Sequence, residues 1–350
     1  MATQSNIVIN TRILGSHVTG VQRYALELRN RFHDQVEPIS PAQSLSGLKG
    51  HLWEQFVLPN AVQGKVLFSP SNTGPLRVKR QVVTLHDVVP LDHPEWLNPR
   101  FAAWYRFLTP RLVRRVAHVI TISEFSKERL LARTKLDEAH VTVIPNGVDS
   151  RFQPLSQESA RIKLAELNLP GRHYVLCVGS LEPRKNLSRL LLAWSRMHTA
   201  VPDDVWLVLT GKKGNARVFA SDAGLSKLPP RVHLTGHVPD GVLPALYAGA
   251  LAFAYPSVYE GFGLPPLEAM ASGVPVLTGN RASLPEVVGG AGVMVDPFDI
   301  DAIAEGLLGL IIDNKLRKEL ITKGLERAKL FSWDKAAERT LDILYEVGQD

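Results

Sequence analysis

The stretch EGFGLPPLE at residues 260–268 follows an apolar, strand-like run that ends at Tyr255. Its two glycines let the backbone approach a ligand closely, and Pro266 suits the first turn of a helix. Free amides at such a helix start point toward an anion. The stretch therefore predicts a strand–loop–helix unit that can hold a sugar and a diphosphate, with Glu260 and Glu268 accepting hydroxyl hydrogen bonds. The alternative is a tight turn with two solvated glutamates.

Short β-branched runs alternate with helical patterns along the whole chain, in two sets of five strands. We expect strands at 6–10, 66–69, 82–86, 118–122 and 141–145, and then at 174–179, 205–211, 232–235, 251–255 and 274–277. We expect helices at about 20–33, 99–116, 124–133, 186–198, 240–249, 266–272, 284–288, 301–312 and 333–346. Strands that alternate with helices imply parallel βαβ units. Because single cores rarely grow beyond about 250–300 residues, the sequence predicts an α/β protein with two doubly wound parallel-sheet domains.

The composition is that of a soluble globular protein with a basic surface. Hydrophobic residues make up 45% of the chain and charged residues 21%, so each half can bury a core. The net charge of +6 favours anionic partners, which include nucleic acid, anionic lipid and phosphorylated substrates. The single cysteine, Cys177, excludes an internal disulfide and is expected in a buried strand. No signal peptide or membrane-spanning run is visible, so we expect a cytoplasmic protein.

The segment GSLEPRKN at residues 179–186 follows a predicted strand and brings two cations to a loop. A nucleoside diphosphate gains negative charge as it leaves, and a positioned cation stabilises that charge in the transition state. Ligands of doubly wound sheets lie beyond the carboxyl ends of the strands, where Arg184 and Lys185 are expected. A surface loop without a ligand is the alternative. We expect the Lys185 side chain to be solvated in the empty protein.

Three shorter signals in the first half lie in loops that follow predicted strands. His86 stands beside Asp87, a pair that suits acid–base chemistry, although a histidine that holds a loop by hydrogen bonds is the alternative. Gly20 opens a helix after Thr19, either for close backbone approach to a ligand or as part of a capped helix start. For Ser123 we favour a helix N-cap over a role in a site.

Motifs for metal or cofactor chemistry are poorly matched. Residues 299–301 have the Asp-x-Asp pattern of a metal site, but their place before a helical pattern favours a helix cap. The 11 histidines have no metal-ligand spacing, and no Walker loop is present. Ser283 and Glu286 have the spacing of a capping box. We therefore expect neither a metal nor a cofactor.

A basic, aromatic stretch runs from Arg100 to Arg115 and predicts an amphipathic helix, with a kink at Pro110. One face is apolar and consists of Phe101, Trp104, Tyr105, Leu108, Leu112 and Val116. The arginines cluster beside this face. The stretch is either a packed helix with a solvated basic edge or a contact with a membrane surface or a lipid diphosphate.

Residues 260–276 closely resemble the donor-binding segment of the family 4 retaining glycosyltransferases, with two glutamates separated by seven residues. The resemblance continues at 19–21, 144–149, 178–186, 283–287 and 291–297, so it spans nearly the whole chain. It implies the GT-B architecture, two Rossmann-like domains facing a cleft. We expect an acceptor domain at 1–155, a nucleotide-sugar donor domain at 156–330, and a terminal helix at 331–350 that packs back on the first domain.

The resemblance also implies a donor site. Glu268 would bind the donor's ribose hydroxyls, Glu260 the transferred sugar, and Lys185 the diphosphate. A family arginine is replaced by Ser180, so either Arg184 takes its role or Ser180 gives only a hydrogen bond. The donor-site candidates are Gly20, Ser180, Arg184, Lys185, Glu260, Gly261, Phe262, Gly263, Leu264 and Glu268. The catalytic candidates are Lys185, Glu260 and His86. By the resemblance, His86 would lie beside the transferred sugar.

The motif variants look like those of bacterial mannosyltransferases of polysaccharide and O-antigen assembly. This likeness implies GDP-mannose as donor and a glycan or lipid-linked oligosaccharide as acceptor, at the inner face of the cytoplasmic membrane. It implies no nucleic-acid partner. Rhamnose or glucose donors remain open, as do a nucleotide-sugar 2-epimerase and a non-catalytic scaffold. The reaction is expected to retain the anomeric configuration without a metal, by front-face attack.

Overall fold

The computed structural model describes residues 6–15, 19–180, 182–211 and 227–349. The chain forms two compact units. The first unit comprises Met1–Gly147 and Ser332–Asp350, and the second comprises Val148–Phe331. Each unit has its own six-stranded sheet in which the strands run parallel. No helix of the described residues is long and apolar enough to cross a membrane.

The first unit alternates strands with helices around one sheet. Its elements are β1 (Ile7–Asn10), α1 (Gly20–Phe32), β2 (Glu37–Ile39), α2 (Gly47–Leu52), α3 (Leu58–Val62), β3 (Val66–Ser69), β4 (Gln81–Leu85), α4 (Val89–Asp92), α5 (Pro99–Leu112), β5 (His118–Thr121), α6 (Glu124–Arg133) and β6 (Val141–Val143). The sheet order is β2-β1-β3-β4-β5-β6. Every residue of β1, β3 and β4 is buried, as expected for strands covered by helices on both faces.

The second unit repeats this plan. Its elements are α7 (Gln157–Leu164), β7 (His173–Val178), α8 (Leu187–Met197), β8 (Val205–Thr210), β9 (Val232–Gly236), α9 (Leu243–Ala248), β10 (Ala252–Tyr255), α10 (Leu264–Ala271), β11 (Val276–Gly279), α11 (Leu284–Val288), β12 (Val293–Val295), α12 (Ile300–Ile312) and α13 (Asn314–Ala328). The last helix, α14 (Trp333–Gln349), returns to the first unit and packs against α1. The sheet order is β12-β11-β10-β7-β8-β9.

The strand orders identify where each sheet holds a ligand. In a doubly wound sheet, ligands bind beyond the carboxyl ends of the strands, at the point where the strand order reverses. That point lies between β1 and β3 in the first sheet and between β7 and β10 in the second. The loops that follow these four strands are therefore the places to look for chemistry.

The prediction of two doubly wound parallel sheets is confirmed, but each sheet has six strands and not five. The two unpredicted strands, β2 and β12, have three residues each and lie at sheet edges. Such strands are too short to show a period of two, and β2 contains Pro38, which is tolerated at an edge. The helices α2, α3, α4, α7 and α13 were also not predicted.

Three local predictions agree with the structure. The Ser123 side chain accepts a hydrogen bond from the Ser126 N–H and caps α6. Asp299 caps α12 by accepting from the N–H groups of Asp301 and Ala302. Cys177 lies buried in β7. The predicted helix at 99–116 ends at Leu112 and continues through Pro110.

Candidate active site

Two loops of the second unit meet through buried charges at the reversal point of its sheet. Lys185 follows β7, and Glu260 follows the neighbouring strand β10. The Lys185 Nζ donates to Glu260 Oε1 at 2.7 Å, and Arg184 donates to Glu260 Oε2, also at 2.7 Å. Lys185 also donates to the hydroxyl of Tyr255, the last residue of β10. One carboxylate therefore holds both predicted cations.

Contacts with the backbone hold the loop after β7 against the loop after β10. Asn186 has a φ of 58°, a left-handed conformation that asparagine tolerates and that ends the turn carrying the cations. The Ser257 hydroxyl lies 2.7 Å from the Arg184 carbonyl oxygen and 2.6 Å from Glu260 Oε1, so it shares its hydrogen between the two loops. The Val258 N–H donates to the same carbonyl at 2.8 Å. The cations are therefore positioned before any ligand arrives.

Burial and mutual charge set the protonation of the pair. Burial alone would raise the pKa of Glu260, but the charges of Lys185 and Arg184 outweigh it and lower the pKa to about 2. Burial lowers the pKa of Lys185, and Glu260 offsets this only in part. The carboxylate is thus ionised throughout the physiological range. The Lys185 side chain is 10% exposed, so the expectation that it is solvated was wrong.

The Ser283 side chain contacts the loop that carries Glu260. Its hydroxyl lies 2.9 Å from the Glu260 carbonyl oxygen and 2.7 Å from that of Phe262. The predicted capping box at Ser283 is therefore wrong, because the side chain makes no capping hydrogen bond to α11. Gly263 has a φ of 118°, which favours glycine, and α10 begins at the next residue, Leu264. Gly261 lies buried in the same loop.

Two further donor-site candidates of the second unit are Ser180, which precedes the cations in the chain, and Glu268, which follows Glu260. The Ser180 hydroxyl donates to Glu182, whose carboxylate also accepts from Arg184 Nε at 2.6 Å. Glu268 lies farther along α10 and is half-buried. Burial raises the pKa of Tyr247, and the negative charge of Glu268 raises it further. Ser180 therefore joins the cation network through Glu182.

Two candidates lie in the first unit. Gly20 is the first residue of α1, and the Thr19 N–H before it donates to the Gln22 side chain at 3.1 Å. His86 is buried, and its Nε2 lies 2.8 Å from the Pro70 carbonyl oxygen. Burial lowers the pKa of His86 to about 4, although the hydrogen bond to Pro70 raises it in part. The ring is therefore neutral at pH 7, with the proton on Nε2.

Four residues of the second unit's network were not predicted as site residues: Glu182, Tyr255, Ser257 and Ser283. Tyr255 and Ser257 bracket the end of β10, and only this position after a strand could have indicated them. Among the described residues, no group of three or more His, Cys, Asp or Glu side chains is arranged to hold a metal ion. The cations of the second unit's network are Arg184 and Lys185, both held by Glu260.

Comparison with known proteins adds a family context. The family model for glycosyl transferases group 1 matches residues 160–327, and the model for Glycosyltransferase Family 4 matches residues 66–152. O-antigen chain mannosyltransferase B of Escherichia coli is 30% identical, over 96% of this chain and 98% of that protein. MMP alpha-(1->4)-mannosyltransferase of Mycolicibacterium hassiacum is 32% identical, over 77% of this chain and 67% of that protein.

Solved structures agree on the fold. Sucrose-phosphate synthase from Thermosynechococcus elongatus superposes with a TM-score of 0.76 and 19% identity, covering 97% of this chain and 98% of its own. WaaG, a glycosyltransferase involved in lipopolysaccharide biosynthesis, superposes with a TM-score of 0.72 and 16% identity, covering 97% and 99%. At these identities the likeness concerns the fold alone, which is GT-B.

We predict that Lys185→Met lowers the free energy of unfolding by about 3 kcal/mol, because it breaks a buried ion pair and leaves Glu260 with one cation. Urea unfolding followed by tryptophan fluorescence measures the loss. Lys329→Met is the matched control, since Lys329 is 67% exposed beside Glu326 and its loss should be negligible. Equal stability of the two variants would contradict a buried pair at Lys185.

We predict that stability depends on pH through His86. Its pKa is lowered from 6.5 to about 4, so the unfolded chain binds the proton more tightly. The stability contributed by the neutral ring is complete above pH 6.5 and is lost as the pH falls toward 4, by about 3 kcal/mol. His86→Gln keeps a donor for Pro70 but does not titrate. If the free energy of unfolding changes equally with pH in the wild type and in His86→Gln between pH 7 and pH 4, the lowered pKa of His86 is refuted.

Proposed function

The chain belongs to the family 4 glycosyltransferases, and from this membership we propose that it transfers mannose from GDP-mannose to a hydroxyl of a glycan or lipid-linked oligosaccharide. The chain is a glycosyltransferase, and the assignment of sugar and pathway is our proposal. It is supported by mannosyltransferase relatives at about 30% identity, one of them an O-antigen chain mannosyltransferase that the alignment covers almost completely. We further propose that it acts in polysaccharide assembly at the inner face of the cytoplasmic membrane.

The observation that carries the proposed mechanism is the pair of cations held by Glu260. A donor diphosphate is already anionic and gains charge as the glycosidic bond breaks. Because Arg184 and Lys185 are fixed before binding, little reorganisation is needed when that charge develops. The cations of the chain then do the work that a metal ion does in other transferases, and we propose that none is required.

We propose that Arg184 takes the role of the family arginine that is absent at Ser180. Its guanidinium lies between Glu182 and Glu260, and each carboxylate accepts one of its N–H groups. The Ser180 hydroxyl donates to Glu182 and thereby orients the partner of Arg184. In this proposal Ser180 is a positioning residue.

The rest of the site follows the same assignment. We propose that the loop at 260–264 lines the sugar and phosphate site and that Glu268 binds the ribose hydroxyls. Attack from the front face, with the leaving phosphate taking the acceptor proton, retains the anomeric configuration without an enzymic nucleophile. We assign the donor mainly to the second unit and the acceptor to the first. Gly20 stays a predicted donor contact, and His86 a predicted neighbour of the transferred sugar. A rhamnosyl or glucosyl donor, or 2-epimerisation without an acceptor, is distinguished by product analysis.

We predict that Arg184→Gln lowers kcat by about 10²-fold, which is the usual cost of losing one preorganised donor to a developing charge. Product formation from GDP-mannose is measured with EDTA present, where the wild type is expected to retain its activity. Arg196→Gln is the matched control, since Arg196 lies near the far end of α8 with an exposed side chain. Normal turnover of Arg184→Gln would remove the arginine from the mechanism, and loss of wild-type activity in EDTA would remove metal independence.

We also propose that the stretch 100–115 contacts anionic lipid. Phe101 and Phe107 of α5 are exposed, and so are Arg100, Arg106, Arg111 and Arg114 around them. A neighbouring segment adds exposed apolar side chains, namely Leu48, Leu52, Phe56 and Val57. It is joined to α5 by ring contacts from His51 to Trp104 and Tyr105. Apolar side chains among arginines suit the interface of an anionic membrane.

We predict that the double variant Phe101→Ser, Phe107→Ser binds vesicles rich in phosphatidylglycerol at least tenfold more weakly than the wild type. Flotation of the protein with the vesicles gives the partition coefficient. Ile162→Ser is the control, because Ile162 is 70% exposed but lies in the second unit. Equal partition of the double variant and the wild type onto these vesicles would exclude this surface. Wild-type binding to neutral vesicles that equals its binding to the anionic vesicles would also exclude it.

A further inference from the structure

A second polar cluster lies at the reversal point of the first sheet, far along the chain from the residues of the donor site. Asn10 ends β1, and Thr73 follows the neighbouring strand β3. Both donate to Oε1 of Glu54, at 2.8 and 3.0 Å, and Arg12 approaches the same oxygen at 3.5 Å. The Glu54 side chain is completely buried. A carboxylate is thus held where a doubly wound sheet binds its ligand.

The other half of this cluster is not satisfied by the protein. Oε2 of Glu54 has no hydrogen-bond partner among the described residues, and the same holds for Arg12 Nε, His51 Nδ1 and Trp104 Nε1. These are four of the 11 buried polar side-chain atoms in the described part of the chain that lack a partner, so such atoms concentrate here. His51 Nδ1 lies 3.8 Å from Glu54 Oε2. Buried polar groups normally find partners, so their concentration indicates a ligand or water.

The groups that surround these atoms suit a sugar. The His51 ring lies 5.4 Å from that of Trp104 and 6.2 Å from that of Tyr105, so three aromatic rings pack together beside these atoms. Burial, and then the charge of Glu54, raises the pKa of Tyr105, so its hydroxyl stays protonated and can donate. A carboxylate acceptor with several N–H and O–H donors beside aromatic rings matches a neutral ring that carries hydroxyl groups.

The local backbone supports a built site. Glu54 lies on a π-helical turn, Trp53–Val57, that continues α2. Such turns are rare and occur frequently at functional sites, because the extra residue rotates the side chains that follow. A plain α-helical continuation would present different residues to β1 and β3.

We propose that Arg12, His51, Glu54, Trp104 and Tyr105 form the subsite that recognises the hydroxyl groups of the acceptor sugar. This inference rests on the proposed transfer to a glycan. It assigns acceptor specificity to residues of the first unit. They bind and orient the acceptor and take no part in bond breaking.

The test compares the Michaelis constant for the acceptor with that for the donor. In Trp104→Phe, which keeps an aromatic ring but loses the indole N–H, we expect the acceptor KM to rise at least tenfold. The donor KM and the melting temperature should stay at their wild-type values. Short manno-oligosaccharides serve as acceptor and GDP-mannose as donor. Trp96→Phe, in the same unit but stacked on His93, is the control and should change neither constant.

Glu54→Gln provides a second variant, since it keeps the accepting Oε1 but replaces the unpartnered oxygen with an amide. A raised acceptor KM in both variants, with an unchanged donor KM, supports the subsite. Unchanged acceptor KM in folded Trp104→Phe would overturn it and leave a hydrated structural network. If the wild type itself transfers to no glycan, the proposed function fails and the subsite falls with it. That outcome appears before any variant is made.

Discussion

The buried contact of Glu260 with Lys185 and Arg184 is the constraint on which the second unit's site depends. A buried carboxylate is costly unless it is paired, and this one is paired twice and also accepts from Ser257. The same bonds tie the loop after β7 to the loop after β10. Folding of the sheet therefore creates the site, because the strands that carry these loops are neighbours.

The same topological rule organises the first unit, with a different result. There the reversal of strand order lies between β1 and β3, and it gathers Arg12 and Glu54 with neutral donors and aromatic rings. The two units thus present contrasting chemistry at equivalent points of their sheets. The second holds two cations against carboxylates, which we propose as the diphosphate site, and the first holds a carboxylate among neutral donors, which we propose as a site for hydroxyl groups. A transferase that joins a charged donor to a neutral acceptor needs both kinds of site.

Much of this could be predicted from the sequence, because the signals are local. Alternating strand and helix patterns predicted two parallel sheets, and the residues at 260–268 predicted the loop and helix start that follow β10. What could not be predicted depends on side chains that meet only after folding. Ser283 has the spacing of a helix cap but holds the Glu260 loop, and Lys185 looks like a loop cation but is buried. The Glu54 cluster joins residues from four separate segments, and no local pattern in the sequence links these segments.

The most direct test of the central claim compares the binding of GDP and guanosine by titration calorimetry. If the cations held by Glu260 bind the diphosphate, the wild type should bind GDP about 10²-fold more tightly than guanosine. In Lys185→Met this ratio of affinities should fall about tenfold. The affinity for guanosine should not change, since Lys185 is assigned to the phosphates. An undiminished preference for GDP in the folded variant would contradict the account.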